Sequence, residues 1–444
     1  MLGESALGPH YDHGYDRPGH CRAWVMLNAA GLRWGLLLPL LLAGLVLASM
    51  PGAQEQPSSQ PAPQPANPAP PANTPEEAAY YAKLAEYRGL RAAYDTEASA
   101  YWELVTETRK ARRKRRAEGR AIGLGDYVLQ QPPLYGGPPE PVPPPALVRP
   151  RPPADPVPLP VVADFLAQAK AQFDFTPERA ASEADYKRAY AEAALAAGID
   201  KDLAIRVYGF EAGGNGRHDV QAGLETSGPK RRAISTALGY NQLLVTNSIG
   251  LLAEGGGNVI AAIRDRLGGA TPERRARIEA KMAALRRMIR FTHTVPKAWS
   301  LHEKLARTPK GLGVHALNLD IDAGPLLQAR KLADSVTFAR RKGHRQRLTA
   351  AELEMMNLMG DGSGFDVVSM PAPMREKVPT ANMFQRGGYD RNPVVRRHNT
   401  VASLLAATDA KMDQQAALPG AREMAAAFDA VAARPRGAAN DAGR

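Results

Sequence analysis

The stretch AIRVYGFEAGGNGRHDVQAG, beginning at Ala204, sets a single glutamate where an apolar helical pattern stops. Leu203, Val207 and Phe210 recur at i, i+4 and i+7, the spacing of one buried helix face, and Asp200 is placed to cap the start of that helix. Gly213 and Gly214 end it, so Glu211 falls in its last turn. Two effects then oppose ionisation there. The C-terminal end of a helix carries partial negative charge, and apolar neighbours such as Phe210 withdraw water from the carboxyl group. A carboxyl kept protonated near neutral pH can give its proton to a glycosidic oxygen. The competing reading takes Glu211 as a solvated helix-end side chain.

Other candidates for chemistry are weaker. A glycoside hydrolase normally sets a second carboxylate across its cleft, and Asp219 and Glu225 are the nearest in sequence. GFEAGGNG is glycine-rich, but no Gly-Lys-Ser/Thr follows it, which argues against a phosphate loop. HEKLA, from His302, carries Ala306 where a zinc-protease helix needs its second histidine. GDGSGFD (Gly360–Asp366) has too few ligands for a calcium loop and reads as a turn. The nine histidines are scattered. We therefore expect no metal site and no cofactor.

A second segment, AISTALGYNQLLVTNSIGLLAEGGG (Ala233–Gly257), pairs with the first. Gly239, Tyr240, Asn241 and Gln242 are expected to open a helix whose Leu and Ile face is core. Together, GIDKDLAIRVYGFEAG and ALGYNQLL resemble the first two motifs of the soluble lytic transglycosylases and goose-type lysozymes, within the lysozyme-like superfamily. The resemblance covers about 60 residues well. It implies Glu211 as catalytic acid/base, Gln242 as a substrate contact and Gly239 as a close-packing glycine. Tyr240 and Asn241 stand where the family usually has Leu-Met, and join the implied substrate-binding set. Three departures matter. Ala212 replaces the serine that usually follows the glutamate, Gln242 lies 31 positions beyond Glu211, and the third motif, Ala-Tyr-Asn, has no clean match. Tyr389 in RGGYDRNP supplies the nearest equivalent tyrosine. The implied reaction is cleavage of peptidoglycan glycan strands. Glu211 protonates the oxygen linking N-acetylmuramic acid to N-acetylglucosamine, then accepts the proton of the muramoyl C6 hydroxyl as that oxygen attacks C1. The alternative is a non-catalytic cell-envelope binding or structural protein on the same scaffold.

The elements that must position these residues read as mainly α. Gly35–Met50, GLLLPLLLAGLVLASM, is a 16-residue apolar run preceded by Arg33. As a helix it would extend ~24 Å, short of a ~30 Å hydrocarbon core. Residues 1–50 are therefore expected to be a leader, either a signal peptide cut near Val46-Leu47-Ala48 or a signal anchor forming a transmembrane helix, with Met1 or Met26 as its start. Residues 51–73 form a Pro-rich linker. Thr74-Pro75-Glu76-Glu77 starts a helix that runs to about 120 and ends in RKARRKRRAEGR. Residues 121–160 form a second Pro-rich segment, a strap. A lysozyme-like helical domain is assigned to 161–415 and a disordered tail to 416–444. Within that domain TPERAASEADYKRAYAEAALAAG and TPERRARIEAKMAALRRMIRF each open on Thr-Pro-Glu, and LTAAELEMMNLMG has Thr349 and Glu352 as a capping box. No run of alternating strands and no solenoid repeat is seen.

The bulk numbers fit that picture. The chain has 444 residues, a formal net charge of +12, 38 prolines, 40 glycines and one cysteine, Cys21. A basic excess suits an anionic polymer or membrane surface, and the basic helix end Arg109–Arg120 is either solvated or an attachment to one. The leader points to the bacterial periplasm, soluble after cleavage or tethered to the inner membrane through residues 35–50. Peptidoglycan glycan strands are then the expected partner, and nucleic acid is not.

Overall fold

The computed structural model describes residues 74–148, 158–224 and 232–434. Among the described residues, fifteen α-helices are joined by turns and short 3-10 segments, and the only β-pairing is three isolated bridges. The fold is mainly α, as alanine-rich, aromatic-poor composition favours. In chain order the helices are α1 Pro75–Ala117, α2 Val162–Phe173, α3 Glu183–Ala196, α4 Lys201–Ala212, α5 Val245–Arg264, α6 Pro272–Thr292, α7 Trp299–Ala306, α8 Pro309–His315, α9 Gly324–Arg341, α10 Ala350–Val368, α11 Ala372–Arg375, α12 Arg386–Arg391, α13 Pro393–Arg397, α14 Val401–Ala416 and α15 Pro419–Ala432.

Local chemistry sets most helix starts. Thr74, Asp200, Thr271 and Thr349 each accept a hydrogen bond from the backbone N–H three residues on, satisfying one of the donors that a helix start leaves unpaired. Glu352 completes the capping box by accepting from the Thr349 N–H at 3.0 Å. Three starts or ends differ from the sequence expectation. α3 begins at Ser182, not Thr176, because the Glu178 N–H is drawn to Asp320 Oδ2 at 2.9 Å. Gly239–Gln242 do not open a helix. Leu238 and Leu243 pair across a tight turn with Gln242 at φ 42°, and α5 starts at Val245. The 416–444 stretch expected to be disordered carries α15, whose Ala421, Met424 and Phe428 are buried against α3 and α4. Residues 435–444 lie outside the described residues, as do the leader 1–50, the linker 51–73 and Glu225.

The chain divides into two compact units. Among the described residues, the first holds Pro158–Ser369 and the chain from Leu405 on, and the second holds residues 74–148 together with Met370–Leu404. Residues 370–404, which the sequence reading leaves inside 161–415, thus group with the long helix and the strap.

In the first unit α5 is the axis. Ile249, Leu252, Val259 and Ile263 are buried among Phe165, Ala169 and Phe173 of α2, Ile278, Met282, Leu285 and Met288 of α6, and Val314, Leu317 and Leu319 that follow. Fully burying each such side chain is worth about 1.5–3 kcal/mol. An ionic cluster closes one end of this core. Lys281 reaches Asp320 at 3.0 Å and also Asp322, while Arg274 reaches Glu178 at 2.6 Å and Asp322 at 3.0 Å. Lys281, Asp320 and Asp322 are all buried, so the cluster ties the extended Phe175–Ala181 segment to α6 and the turn before α9.

In the second unit α1 is held by Asn382. The Arg112 guanidinium, wholly buried, donates to the Asn382 carbonyl at 3.1 Å and the Asp126 carbonyl at 3.0 Å, and lies 4.3 Å from the centre of the Tyr127 ring. Arg109 donates to the Phe384 carbonyl. The Asn382 side chain accepts from the Val128 N–H and donates to the Val128 and Pro379 carbonyls. Part of the basic run Arg109–Arg120 is therefore an internal clamp and not a solvated face. Tyr135 of the second Pro-rich segment packs edge-on to Tyr87 and Tyr94.

Candidate functional site

α4 carries Glu211 in its last turn, and Gly213, at φ 69°, ends the helix in the left-handed region where glycine costs least. The helix is seated by small residues. A methyl group added to Gly209 would come within 3.1 Å of the Gln415 Cβ, and one added to Gly214 within 2.4 Å of the Gln415 carbonyl oxygen. Gly420 in turn approaches the Gly214 carbonyl. α4 and the C-terminal helices therefore meet backbone to backbone, which fixes the end of α4 where Glu211 projects.

Glu211 projects toward α10, which packs on α4. Asn357 donates to Glu211 Oε1 at 2.6 Å. Beside it, one turn back on α10, stands Glu354, which is 0 % exposed and whose carboxyl lies within hydrogen-bonding reach of the Glu211 carboxyl. Among the described residues neither oxygen of Glu354 has a hydrogen-bond donor at normal distance, and the Asn357 carboxamide acts on it as well as on Glu211. Lys331 of α9 is the cation that acts on both carboxyls. Removal of water pushes the Glu211 carboxyl up, and the hydrogen bond from Glu354, the charge of Lys331 and the hydrogen bond from Asn357 pull it partly back, leaving it at about 7. Burial and then the facing Glu211 charge hold Glu354 well above the usual carboxylate range. Glu211 itself keeps partial contact with solvent. The arrangement is a carboxyl pair of one wholly buried residue, Glu354, and one partly exposed residue, Glu211.

The motif around Gly239 is placed differently. Tyr240, Asn241 and Gln242 are buried. The Tyr240 hydroxyl donates to Glu183 Oε1 at 2.6 Å, and burial followed by the Glu183 charge raises it far above its ordinary value. Glu183 also faces His218 Nδ1 at 2.8 Å. Asn241 bridges Tyr190 and Gln328. The Gln242 carboxamide donates to the Gly239 carbonyl at 2.8 Å and the Val220 carbonyl at 3.3 Å. Gly239 has φ 83°, and a methyl group there would come within 2.7 Å of Gln328 Nε2, so only glycine fits. These four residues form the polar lining of a turn, and no hydrogen bond joins them to Glu211. Tyr389 belongs to the second unit, buried with its ring 5.3 Å from Trp102.

Asp219, the nearest sequence candidate for a second carboxylate, pairs with Arg179 at 2.6 Å and Arg217 at 3.3 Å. Burial raises it, and His218, Arg179 and Arg217 outweigh that, so it stays below the usual range. The carboxylate that meets Glu211 is Glu354. Its signal in the sequence is AAELEMMNLMG, where Glu354 is enclosed by Leu353, Met355 and Met356 in an otherwise apolar run. A cavity of ≈ 240 Å³ opens at a different place, lined by Asp200, Leu203, Arg340, His344 and Arg347 among others. It includes neither Glu211 nor Gln242. Among the described residues no group of three or more His, Cys, Asp and Glu could hold a metal ion.

Comparison with known proteins finds no matching family, no matching curated protein and no matching solved structure. The lytic-transglycosylase, peptidoglycan and signal-peptide readings thus gain no support beyond the motif residues themselves. The expectation of a transmembrane helix is corrected: among the described residues no helix is long and apolar enough to cross a membrane. α1, at 43 residues the longest, is too rich in charge. The apolar run 35–50 lies outside the described residues.

Proposed function

We propose that the protein cleaves the glycosidic bonds of a glycan strand, with Glu211 as the proton donor. The observation that carries this reading is the placement of the Glu211 carboxyl, in the last turn of α4 against the Asn357 carboxamide and the buried carboxyl of Glu354, an environment that raises it to about 7. A general acid works best with a pKa near the working pH. Glu211 protonates the bridging oxygen as the bond to the anomeric carbon breaks, and its carboxylate then takes a proton from the attacking hydroxyl. The resemblance of GIDKDLAIRVYGFEAG and ALGYNQLL to the lytic transglycosylases makes peptidoglycan the first polymer to try, with attack by the sugar's own C6 hydroxyl.

Digestion of purified peptidoglycan by the purified protein, with mass analysis of the fragments, tests this. Anhydro-ended fragments are expected, and Glu211→Gln is expected to reduce their release by about 100- to 10,000-fold, the usual share of a general acid. Reducing ends would replace internal transfer with hydrolysis. The second reading is a non-catalytic binding or structural module, and the engagement of Tyr240, Asn241 and Gln242 in internal hydrogen bonds favours it. Binding to the polymer without any fragment release by the folded protein would establish it in place of the enzyme.

A further inference from the structure

We infer that Glu354 is a permanently protonated positioning residue, which donates its O–H to Glu211 and steadies the carboxylate that Glu211 becomes after giving up its proton. The inference rests on the reading of Glu211 as an acid, but its geometric basis is independent of any substrate. Glu354 is 0 % exposed, neither of its oxygens has a hydrogen-bond donor at normal distance, and the Asn357 carboxamide and the Lys331 charge that act on it are shared with Glu211. An ionised carboxylate so placed would lack water and any close donor of its own, a cost of several kcal/mol that proteins avoid by keeping the group neutral. A neutral Glu354 has one proton to donate, and the Glu211 carboxyl is within its reach. Asn357, three residues on along α10, supplies the other donor to Glu211. Two donors therefore converge on one carboxyl from a single helix face, as i, i+3 spacing requires.

The charged groups around the pair do not change this assignment. α4 contributes Glu211 itself, and Arg206 of α4 is turned to Asp409 and Asp413. α9 brings Lys331, the cation that acts on both carboxyls. α14, against the glycine face of α4, brings Asp409 and Asp413, which are held by Arg206, and Lys411, which burial lowers. The cycle balances. Glu211 loses one proton to the leaving oxygen and regains one from the attacking hydroxyl, while the Glu354 proton stays on Glu354 throughout.

Two isosteric variants separate this role from packing. Glu354→Gln keeps a donor and removes the acid; Glu354→Met keeps the volume and removes the donor. With ¹³C-labelled glutamate, the Glu211 carboxyl titration can be followed in each without substrate. In Glu354→Gln the Glu211 midpoint is expected to stay in place. In Glu354→Met it is expected to rise by about 1–2 pH units, because the carboxylate loses a hydrogen bond. An unmoved midpoint in a folded Glu354→Met, or a large shift in Glu354→Gln, overturns the assignment. Should Glu354→Met fail to fold, the wild-type protein decides. A Glu354 carboxyl that keeps a protonated-acid chemical shift through pH 8 supports the assignment, and one that ionises below pH 7 overturns it. Absence of glycan cleavage alongside a protonated Glu354 would remove the proposed function and leave this inference standing.

Discussion

Glu211 stores a proton that the unfolded chain would release. Its folded value of about 7 lies above the ordinary value of 4.5, so between these pH values the folded protein binds more protons than the unfolded one. Stability from this group is thus complete below about pH 4.5 and is lost as pH rises through about 7. Glu211→Gln removes the loss. The variant is expected to melt at a higher temperature than wild type at pH 8 and at the same temperature at pH 4.5. Thermal unfolding of both proteins at the two pH values checks this, and a difference that fails to grow with pH would refute the raised carboxyl. Such a gain of stability on removing a functional group is the usual signature of a strained site. Glu211 was legible in the sequence because the cues are local, an apolar turn and two glycines. Glu354 was not, since its meaning depends on a helix 143 residues away in the chain that brings Glu211 to it.

Elements show the same division between local and distant control. Thr74, Asp200, Thr271 and Thr349 were readable as caps because the cap and its N–H lie three residues apart. Thr176 carries the same Thr-Pro-Glu signature, yet Asp320, 142 residues away along the chain, takes the Glu178 N–H and pulls that segment into the ionic cluster. α15 was missed for a related reason: its alanine-rich sequence gains order from burying Met424 and Phe428 against other helices, not from its own composition. The ionic cluster gives a prediction at this scale. Lys281→Met leaves buried Asp320 without its cation, and a loss of about 3–5 kcal/mol is expected in denaturant unfolding. Adding Asp320→Asn removes the stranded charge and keeps one oxygen to accept from the Asp322 and Ala323 N–H groups, at the smaller cost of the acceptor for the Glu178 N–H. The double variant should therefore be more stable than Lys281→Met alone; a double variant that is worse would show that the cluster acts through shape and not charge.

The whole molecule has two compact units, each with its own interior. Two cooperative blocks should appear as two calorimetric transitions. Asn382→Ala strips three hydrogen bonds from the second unit and leaves the buried Val128 N–H and carbonyl unsatisfied, a loss of about 2 kcal/mol or more. One transition should move down and the other stay. Both moving together would mean that the chain unfolds as a single block. The division was hidden in the sequence because the two units alternate along the chain, residues 370–404 of the second lying between two pieces of the first, and no composition shift marks residue 370.

The backbone-to-backbone seat of α4 has a consequence for how this protein can diverge. Gly209 and Gly214 face Gln415, and Gly420 faces Gly214. A methyl group gained at any one of these must be answered by a retreat of the chain opposite, which would also swing the acid. Relatives should therefore change these glycines jointly or leave them all alone, and a survey of homologous chains could read that coupling directly.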